Sequence, residues 1–310
     1  MEILNSIIYL CNKIIAIKIK KIQMRKRLIF SILIVSLKAV YALTPYSPKY
    51  FGPNANPVPE FTDARIPAKT TISLIGDYYF GFGDQTKNAY FKVEVPLLSE
   101  RVSLKVWTTL FENYRVTDSV SIKRNMNGNT SGTASGDIYV QTRFLIIKEK
   151  KFMPNLILNS TLKTASGTNH LERRYFDTPG YYFDLEVGKS IYTNCKFISE
   201  IRAVANYGFL CWETEKQSTQ NDAPMYGGKI SIGNEHWKLE NTLSGYKGWM
   251  HENYGSDYGD YPLVYATKFT IQTNKLCYFG QYQYGIKDFP YHQIRVGVSF
   301  PVEVLTPKYK

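Results

Sequence analysis

The feature that most constrains this chain is a period-2 alternation of apolar and polar residues, which recurs along most of its length. The clearest case is the segment 292–300, in which Ile, Val, Val and Phe share one face and Gln, Arg, Gly and Ser share the other. Because successive side chains of a strand point to opposite faces, this pattern predicts a strand with one apolar and one polar face.

Segments of this kind follow one another from residue 70 onward, each close to the roughly 9–11 residues that a tilted strand needs to cross a membrane. They span residues 70–81, 88–96, 102–113, 137–147, 155–165, 181–191, 198–212, 226–233, 237–249, 263–273, 276–286 and 292–300. After residue 42 no apolar stretch approaches the roughly 20 residues of a spanning helix. We therefore expect an all-β fold, a transmembrane antiparallel up-and-down β-barrel of about 12 strands (10–14).

The connections between these segments alternate in length, which supports the same topology. Short connections at 98–101, 148–154, 192–196, 234–235 and 274–275 alternate with long polar ones at 114–136, 166–180, 213–223 and 250–262. Outer-membrane barrels combine short periplasmic turns with longer outer loops. Two predicted outer connections, 83–87 and 287–291, are short, so the asymmetry is incomplete.

The N-terminal 42 residues have the order of an export signal. A basic cluster at 25–27 precedes an apolar run at 28–37, and a small-residue cleavage pattern ends at Ala42. We expect residues 1–42 to be cleaved, with Met24 as the true start and residues 1–23 as an upstream extension. A rival interpretation makes 3–17 an amphipathic membrane anchor.

The rest of the chain divides by composition into three parts. Residues 43–69 contain six prolines and cannot form a regular helix or strand ladder, so we expect an extended periplasmic arm, with folding back against the barrel mouth as an alternative. Residues 70–300 form the predicted barrel, and residues 301–310 form a C-terminal tail.

Charge and cysteine content exclude several classes of function. The chain has 38 Lys+Arg and 26 Asp+Glu, but the signal holds eight of the basic residues and one acid, which leaves 30 against 25. No clustered basic element indicates nucleic-acid binding. The three cysteines left after cleavage lack the spacing of a metal site or a disulfide framework, although one bridge between Cys211 and Cys277 stays open. We expect no metal and no cofactor.

The polar faces of the predicted strands turn charged side chains into the lumen. The lumen and selectivity candidates are Lys92, Lys105, Arg143, Lys163, Arg202, Lys229, Lys238, Lys268 and Arg295, with the acids Glu94, Asp184, Glu186 and Glu200. Asp77 and Glu240 complete the inward acids, so nine cations face six acids. Such charges need either water or partners, since desolvation costs several kcal/mol per ion. An open lumen of this kind favours anionic solutes.

Side chains in the predicted outer loops suit a sugar-like ligand, because aromatic rings stack on sugars and polar groups bond to hydroxyls. The loop candidates are Arg173, Arg174, Tyr175, Asp177, Trp212, Asn221 and Asp222. The alternative is that they form an interfacial aromatic girdle and solvated loops.

An enzymatic function has little support in the sequence. Ser166, His170 and Asp177 are close in the chain and are the candidates for a hydrolytic triad, but proximity in a loop is not triad geometry. No metalloprotease, phosphate-loop or dinucleotide motif occurs. Catalysis stays an alternative rather than the expectation.

The segments 50–55 (YFGPNA), 177–181 (DTPGY) and 208–212 (GFLCW) resemble those of functionally uncharacterised Bacteroidota outer-membrane barrels of the twelve-strand size class. The resemblance implies a bacterial outer-membrane location, with membrane lipid and the barrel assembly machinery as partners. That size class contains narrow porins, lipases and proteases. The leading hypothesis is a narrow passive channel for small anionic or sugar-like solutes; the others are an outer-membrane hydrolase and a closed structural or surface-binding barrel.

Overall fold

The computed structural model describes residues 50–98, 101–212, 222–248 and 259–307, which form an antiparallel β-barrel. The strands are β1 (Thr71–Gly81), β2 (Asp84–Pro96), β3 (Val102–Val116), β4 (Ser131–Ala134), β5 (Ile138–Ile147), β6 (Asn155–Lys163), β7 (Gly180–Tyr192), β8 (Glu200–Trp212), β9 (Asp222–Gly233), β10 (Trp237–Tyr246), β11 (Leu263–Gln272), β12 (Cys277–Lys287) and β13 (His292–Pro301). One short helix, α1 (Asp118–Arg124), lies between β3 and β4. The predicted signal at residues 1–42 lies outside the described residues.

Twelve of these strands close into a ring, and β4 only extends the edge of β3. Each barrel strand pairs antiparallel with its neighbour in the chain, and β13 returns to pair with β1, from Thr71↔Pro301 to Phe80↔His292. The predicted fold class, an antiparallel barrel of about 12 strands, is confirmed. Each predicted strand overlaps an observed one, because alternation is the property that a barrel wall requires.

The boundaries differ most at the start of β2, at the end of β3 and at the start of β9, which begins at residue 222 rather than 226. β2 begins at Asp84 rather than residue 88, because Phe82 (φ 52°) and Gly83 (φ 76°) form a two-residue turn with both backbones in the left-handed region. Such a turn matches the twist of a hairpin and allows pairing up to Gly81↔Asp84. The predicted loop 114–136 contains the end of β3, α1 and β4.

The two faces of the wall differ as the sequence predicts. Outward side chains are apolar and exposed, for example Ile230 (60 %) on β9 and Val296 (59 %) on β13. Inward positions are polar or charged and buried, for example Arg143 and Glu186, each 1 % exposed. A soluble domain buries its apolar side chains and exposes its charged ones, so the distribution in this wall is the reverse.

The two ends of the barrel are named here by their connections. The short-turn end carries the turns 148–154, 193–199, 234–236 and 273–276, and the long-loop end carries the connections 117–137 and 164–179. The predicted outer loops at 213–221 and 249–258 lie outside the described residues. After β13, a 3-10 helix (Glu303–Leu305) lies at the short-turn end, where the Val302 N–H donates to the Thr70 carbonyl at 2.7 Å.

Candidate functional site

The lumen of the barrel is occupied by residues 50–69 of the same chain, which we call the lumen segment. Residues 51–69 form turns and extended stretches without helix or strand, as their prolines require. The sequence analysis placed residues 43–69 as a periplasmic arm, or folded back against the barrel mouth. The described part of that arm lies inside the barrel instead, because the inward charges of the wall supply partners for its backbone and its acids.

The long-loop end holds the start of the lumen segment by its backbone. Arg124 of α1 is fully buried and donates to the carbonyl of Phe51 at 3.3 Å. The Tyr291 hydroxyl donates to the same carbonyl. Gly52 donates its N–H to the carbonyl of Arg173 at 2.9 Å. Residues from three separate connections therefore fix one stretch of backbone.

A buried charge cluster supports this anchor. Nε of Arg174 lies 2.5 Å from Oε1 of Glu112, and its NH1 lies 2.7 Å from Oδ2 of Asp84. Arg124 contacts the same Asp84 oxygen at 2.7 Å, and Tyr175 donates its hydroxyl to Glu112 at 3.0 Å. Burial lowers the pKa of Arg174, but Glu112 and Asp84 outweigh it and raise that pKa above its usual value. The acids and arginines of this cluster are therefore ionised, and their role is to hold the structure together.

In the middle of the barrel Glu186 of β7 binds the lumen segment through three donors. The Thr62 N–H and hydroxyl each donate to its carboxylate at 2.8 Å, and the Ala64 N–H donates at 3.1 Å. Arg143 of β5 lies 3.3 Å from the same carboxylate and donates to the carbonyl of Arg65 at 2.9 Å. An acid and a base of the wall, Glu186 and Arg143, thus both bind the lumen segment.

The two acids of the lumen segment, Glu60 and Asp63, pair with cations of the wall. Glu60 binds Arg295, which also binds Asp77 at 2.5 Å. Asp63 lies 3.1 Å from Nζ of Lys229. Burial raises the pKa of each acid, but the neighbouring cations, Arg295 first for Glu60 and Lys229 first for Asp63, outweigh it and hold the pKa below its usual value.

The other lumen candidates also face the interior. Lys163 lies 2.9 Å from Asp137, Arg202 lies 2.7 Å from Glu149, and Glu94 lies 2.7 Å from Arg143. Five further contacts complete this set: Lys238 and Lys268 with Glu240 at 3.3 and 3.7 Å, Asp184 with the amides of Asn159 and Asn206 at 2.8 and 2.6 Å, and Glu200 with Arg65. Lys92 and Lys105 line a cavity beside the lumen segment. Apart from these two lysines, the predicted inward cations are therefore paired with acids.

The loop candidates do not gather at an open mouth. Arg173, Arg174, Tyr175 and Trp212 are buried, at 4, 0, 2 and 2 % exposed. Trp212 lines the same cavity as Lys92. The remaining candidates are spread: Asp177 is half-buried, Asp222 begins β9, and Asn221 lies outside the described residues.

The triad candidates do not converge. Ser166 Oγ lies 2.7 Å from the Thr164 hydroxyl and accepts from the Ile138 N–H at 3.2 Å. Nδ1 of His170 faces the carbonyl of Tyr175 at 3.4 Å. No hydrogen bond joins Ser166, His170 and Asp177 in this described loop, so the arrangement lacks the nucleophile–base contact of a triad.

Two negative findings concern the described part of the chain. Within it, no group of three or more His, Cys, Asp or Glu side chains is placed to hold a metal ion. None of the helices found between residues 50 and 307, outside the three gaps, is long and apolar enough to span a bilayer. Cys195, Cys211 and Cys277 form no disulfide among the described residues.

Sequence reasoning missed Glu60 and Asp63, which carry the contacts of the lumen segment to Arg295 and Lys229. One signal was available, because these are the only acids between residues 43 and 69 and the predicted wall has an excess of cations. It also missed Asp84, Glu112 and Arg124, whose cluster depends on contacts between distant loops.

Comparison with known proteins gives the fold. No family model and no curated protein matches the chain. An outer membrane channel from Pseudomonas putida F1 superposes with a TM-score of 0.53 at 9 % identity, over 78 % of this chain and 99 % of that one. The transport unit of the autotransporter AIDA-I from Escherichia coli gives 0.45 at 10 %, over 76 % and 90 %. The translocator domain of NalP from Neisseria meningitidis gives 0.41 at 11 %, over 76 % and 89 %. The superposition on the Pseudomonas putida channel shows that the chain has the closed antiparallel barrel fold of an outer-membrane protein.

Proposed function

We propose that the protein is an outer-membrane channel for small anions, closed by its own lumen segment and open when that segment is displaced. The observation that carries this proposal is the way in which the lumen segment presents anions and carbonyls to the cations of the wall. Glu60 and Asp63 bind Arg295 and Lys229, and the carbonyls of Asp63 and Arg65 accept from Arg202 and Arg143.

The outward face supports a place in the membrane. Leu74, Phe269 and Val296 are 46–59 % exposed on the outside of three different strands. Apolar groups in such a band favour hydrocarbon over water by about 25 cal/mol per Å². We therefore propose outer-membrane lipid as the solvent of this face and the barrel assembly machinery as the insertion partner.

The contacts of the lumen segment suit displacement. Apart from Phe51, Ala55, Val58, Phe61 and Ala64, it is held by hydrogen bonds and ion pairs rather than by apolar packing. Water replaces such contacts at small net cost, since a hydrogen bond contributes only about 0.5–1.5 kcal/mol net. Displacement therefore exposes a hydrated passage without unfolding the wall.

Displacement also fixes the charge preference. Once Glu60 and Asp63 leave, Arg295, Lys229 and Lys238 lose carboxylate partners. Arg295, Lys229 and Lys238 then face the passage with fewer carboxylates beside them, which favours anions over cations. A sugar-like compound is the second candidate solute. The supporting observation is that aromatic side chains line the cavity beside the lumen segment.

The test is a reversible cross-link between the lumen segment and the wall. Ala64 and Val204 pack in one buried cluster, so Ala64→Cys and Val204→Cys are introduced after replacing the three native cysteines by Ala. We expect silent planar bilayers with the oxidised protein, and anion-selective openings after reduction. Each single-cysteine variant is the matched control and must behave alike in both redox states.

A different outcome identifies the second candidate. Equal conductance in the oxidised and reduced forms contradicts gating by the lumen segment. A folded barrel that never conducts, even after reduction, points to the closed structural barrel, for which the filled lumen is the supporting observation. The hydrolase alternative has no such support, since Ser166 and His170 bond to other groups.

A further inference from the structure

Two of the nine predicted inward cations lack the direct ion pair that the other seven make. Those seven lie within 4 Å of a carboxylate, but neither Lys92 nor Lys105 does so among the described residues. Neither ammonium group makes a hydrogen bond there, and Lys105 only lies over the Trp107 ring, 4.7 Å from its centroid. Lys105 is 5 % exposed and Lys92 is half-buried, and removing an ammonium group from water without a partner is costly.

These two lysines are neighbours on the wall. The β2–β3 register sets Lys92 opposite Trp107, and Lys105 is two residues from Trp107 on the same face. Diagonal positions of this kind lie about 7–8 Å apart at Cα. At that spacing the positive charges of the two side chains repel each other, and an anion between them removes that repulsion.

Both lysines line one cavity between the wall and the lumen segment. Its volume is about 70 Å³, against the roughly 30 Å³ that one water occupies in the liquid. Trp107 and Tyr139 stack at 5.1 Å in its lining. Trp212, also in the lining, is 2 % exposed, and its indole N–H has no acceptor in the described structure. The cavity thus holds three donors without acceptors.

The acids of this cavity are engaged elsewhere. Glu60 and Asp77 both bind Arg295, and Asp137 binds Lys163. Glu94 lies opposite Lys105 in the β2–β3 register, but it pairs with Arg143. No carboxylate is therefore left to pair directly with Lys92 or Lys105, and an anion of a few non-hydrogen atoms fits the cavity.

We infer that this cavity binds one small oxyanion between the ammonium groups of Lys92 and Lys105, with the Trp212 N–H as a further donor. Inorganic phosphate or sulfate has the required size and acceptor number, and so does a short carboxylate such as acetate. A role of this site in holding a permeating anion rests on the proposed function. The binding itself is a property of the closed state.

Isothermal titration of the whole protein in detergent micelles tests the site, with phosphate, sulfate and acetate as separate probes in chloride-free buffer. We expect one saturable site, with affinity at least tenfold lower in Lys92→Met and in Lys105→Met. Lys189→Met is the matched control, because Lys189 pairs with Glu149 near the short-turn end and does not line the cavity, and it must leave affinity unchanged. Saturation by acetate alone identifies a carboxylate as the ligand, and by phosphate or sulfate a tetrahedral oxyanion.

Absence of saturable binding for all three probes overturns the inference, and so does equal affinity in the two lysine variants. Should a variant fail to fold, wild-type crystals soaked in selenate give a second measurement. The anomalous peak must then lie within hydrogen-bond distance of both Nζ atoms, and a peak elsewhere overturns the site.

Titration of the oxidised Ala64→Cys, Val204→Cys protein separates this inference from the channel. Binding in that locked form, together with silence after reduction, supports the site and overturns the channel. Conductance after reduction, without binding in the locked form, supports the channel and overturns the site.

Discussion

Glu186 shows at the scale of one residue how the wall holds the lumen segment. Its carboxylate is 1 % exposed and accepts from Thr62 and Ala64 while it faces Arg143. A buried carboxylate with several donors is stable only while all of them are in place. The docked segment is therefore part of what makes this buried charge tolerable, and the charge is part of what keeps the segment docked.

Glu186→Gln is expected to weaken docking by about 1.5–3 kcal/mol, the contribution of hydrogen bonds to a charged acceptor. We expect a rise in the open probability in planar bilayers. We also expect a rise in the rate at which a protease cleaves the lumen segment. The matched control is Asp184→Asn on the same strand, since Asp184 accepts from Asn159 and Asn206 and not from the segment. An equal effect of the two variants contradicts a specific role for Glu186.

The strands and the lumen segment differ, at the scale of elements, in how far the sequence predicts them. Each strand has a local period, so twelve strands were found with ends mostly within a few residues. The lumen segment has no period, and its partners Glu186 and Arg295 are 124 and 235 residues away from Thr62 and Glu60. Its prolines exclude helix and strand but do not distinguish the inside of a barrel from the outside. The candidate cations were therefore predictable, and the segment that binds them was not.

Acid is expected to release the lumen segment. Because the docked pKa values of Glu60 and Asp63 lie below their usual values, docking gains stability above the ordinary carboxyl pKa of about 4 and loses it as pH falls toward the docked values. Conductance therefore stays low at neutral pH and rises below about pH 4. Glu60→Gln with Asp63→Asn raises conductance at neutral pH and flattens the profile. A wild-type profile that is flat down to about pH 3 contradicts this linkage.

At the scale of the whole molecule, the usual distribution of side chains is reversed, with charged side chains inside and apolar side chains outside. This arrangement is stable only if the outer face meets hydrocarbon, since the exposed Leu, Ile, Val and Phe of the wall otherwise remain in water. The depth of a residue along its strand then decides the cost of a charge there. Val296 lies near the middle of β13, and Ile271 lies near the short-turn end of β11.

Val296→Arg is expected to destabilise the folded barrel by about 2–4 kcal/mol in phospholipid vesicles, as charges do near the bilayer midplane. Ile271→Arg is the control near the rim and costs about 0–1 kcal/mol. Both side chains are about half exposed on the same face, so burial within the protein does not separate them. Equal unfolding free energies for the two variants in denaturant titrations contradict a spanning position for this band.

The ion pair between Glu60 and Arg295 has a consequence for biogenesis. The first acid of the described chain is held by an arginine of the last strand, and that strand also closes the seam with β1. A ribosome delivers Arg295 long after Glu60, so this contact forms only on a finished polypeptide. Partners so distant in sequence meet late in folding, because loop closure must come first. The contact between Glu60 and Arg295 is therefore made only when the last strand is in place, and an unfinished barrel holds the lumen segment by fewer contacts.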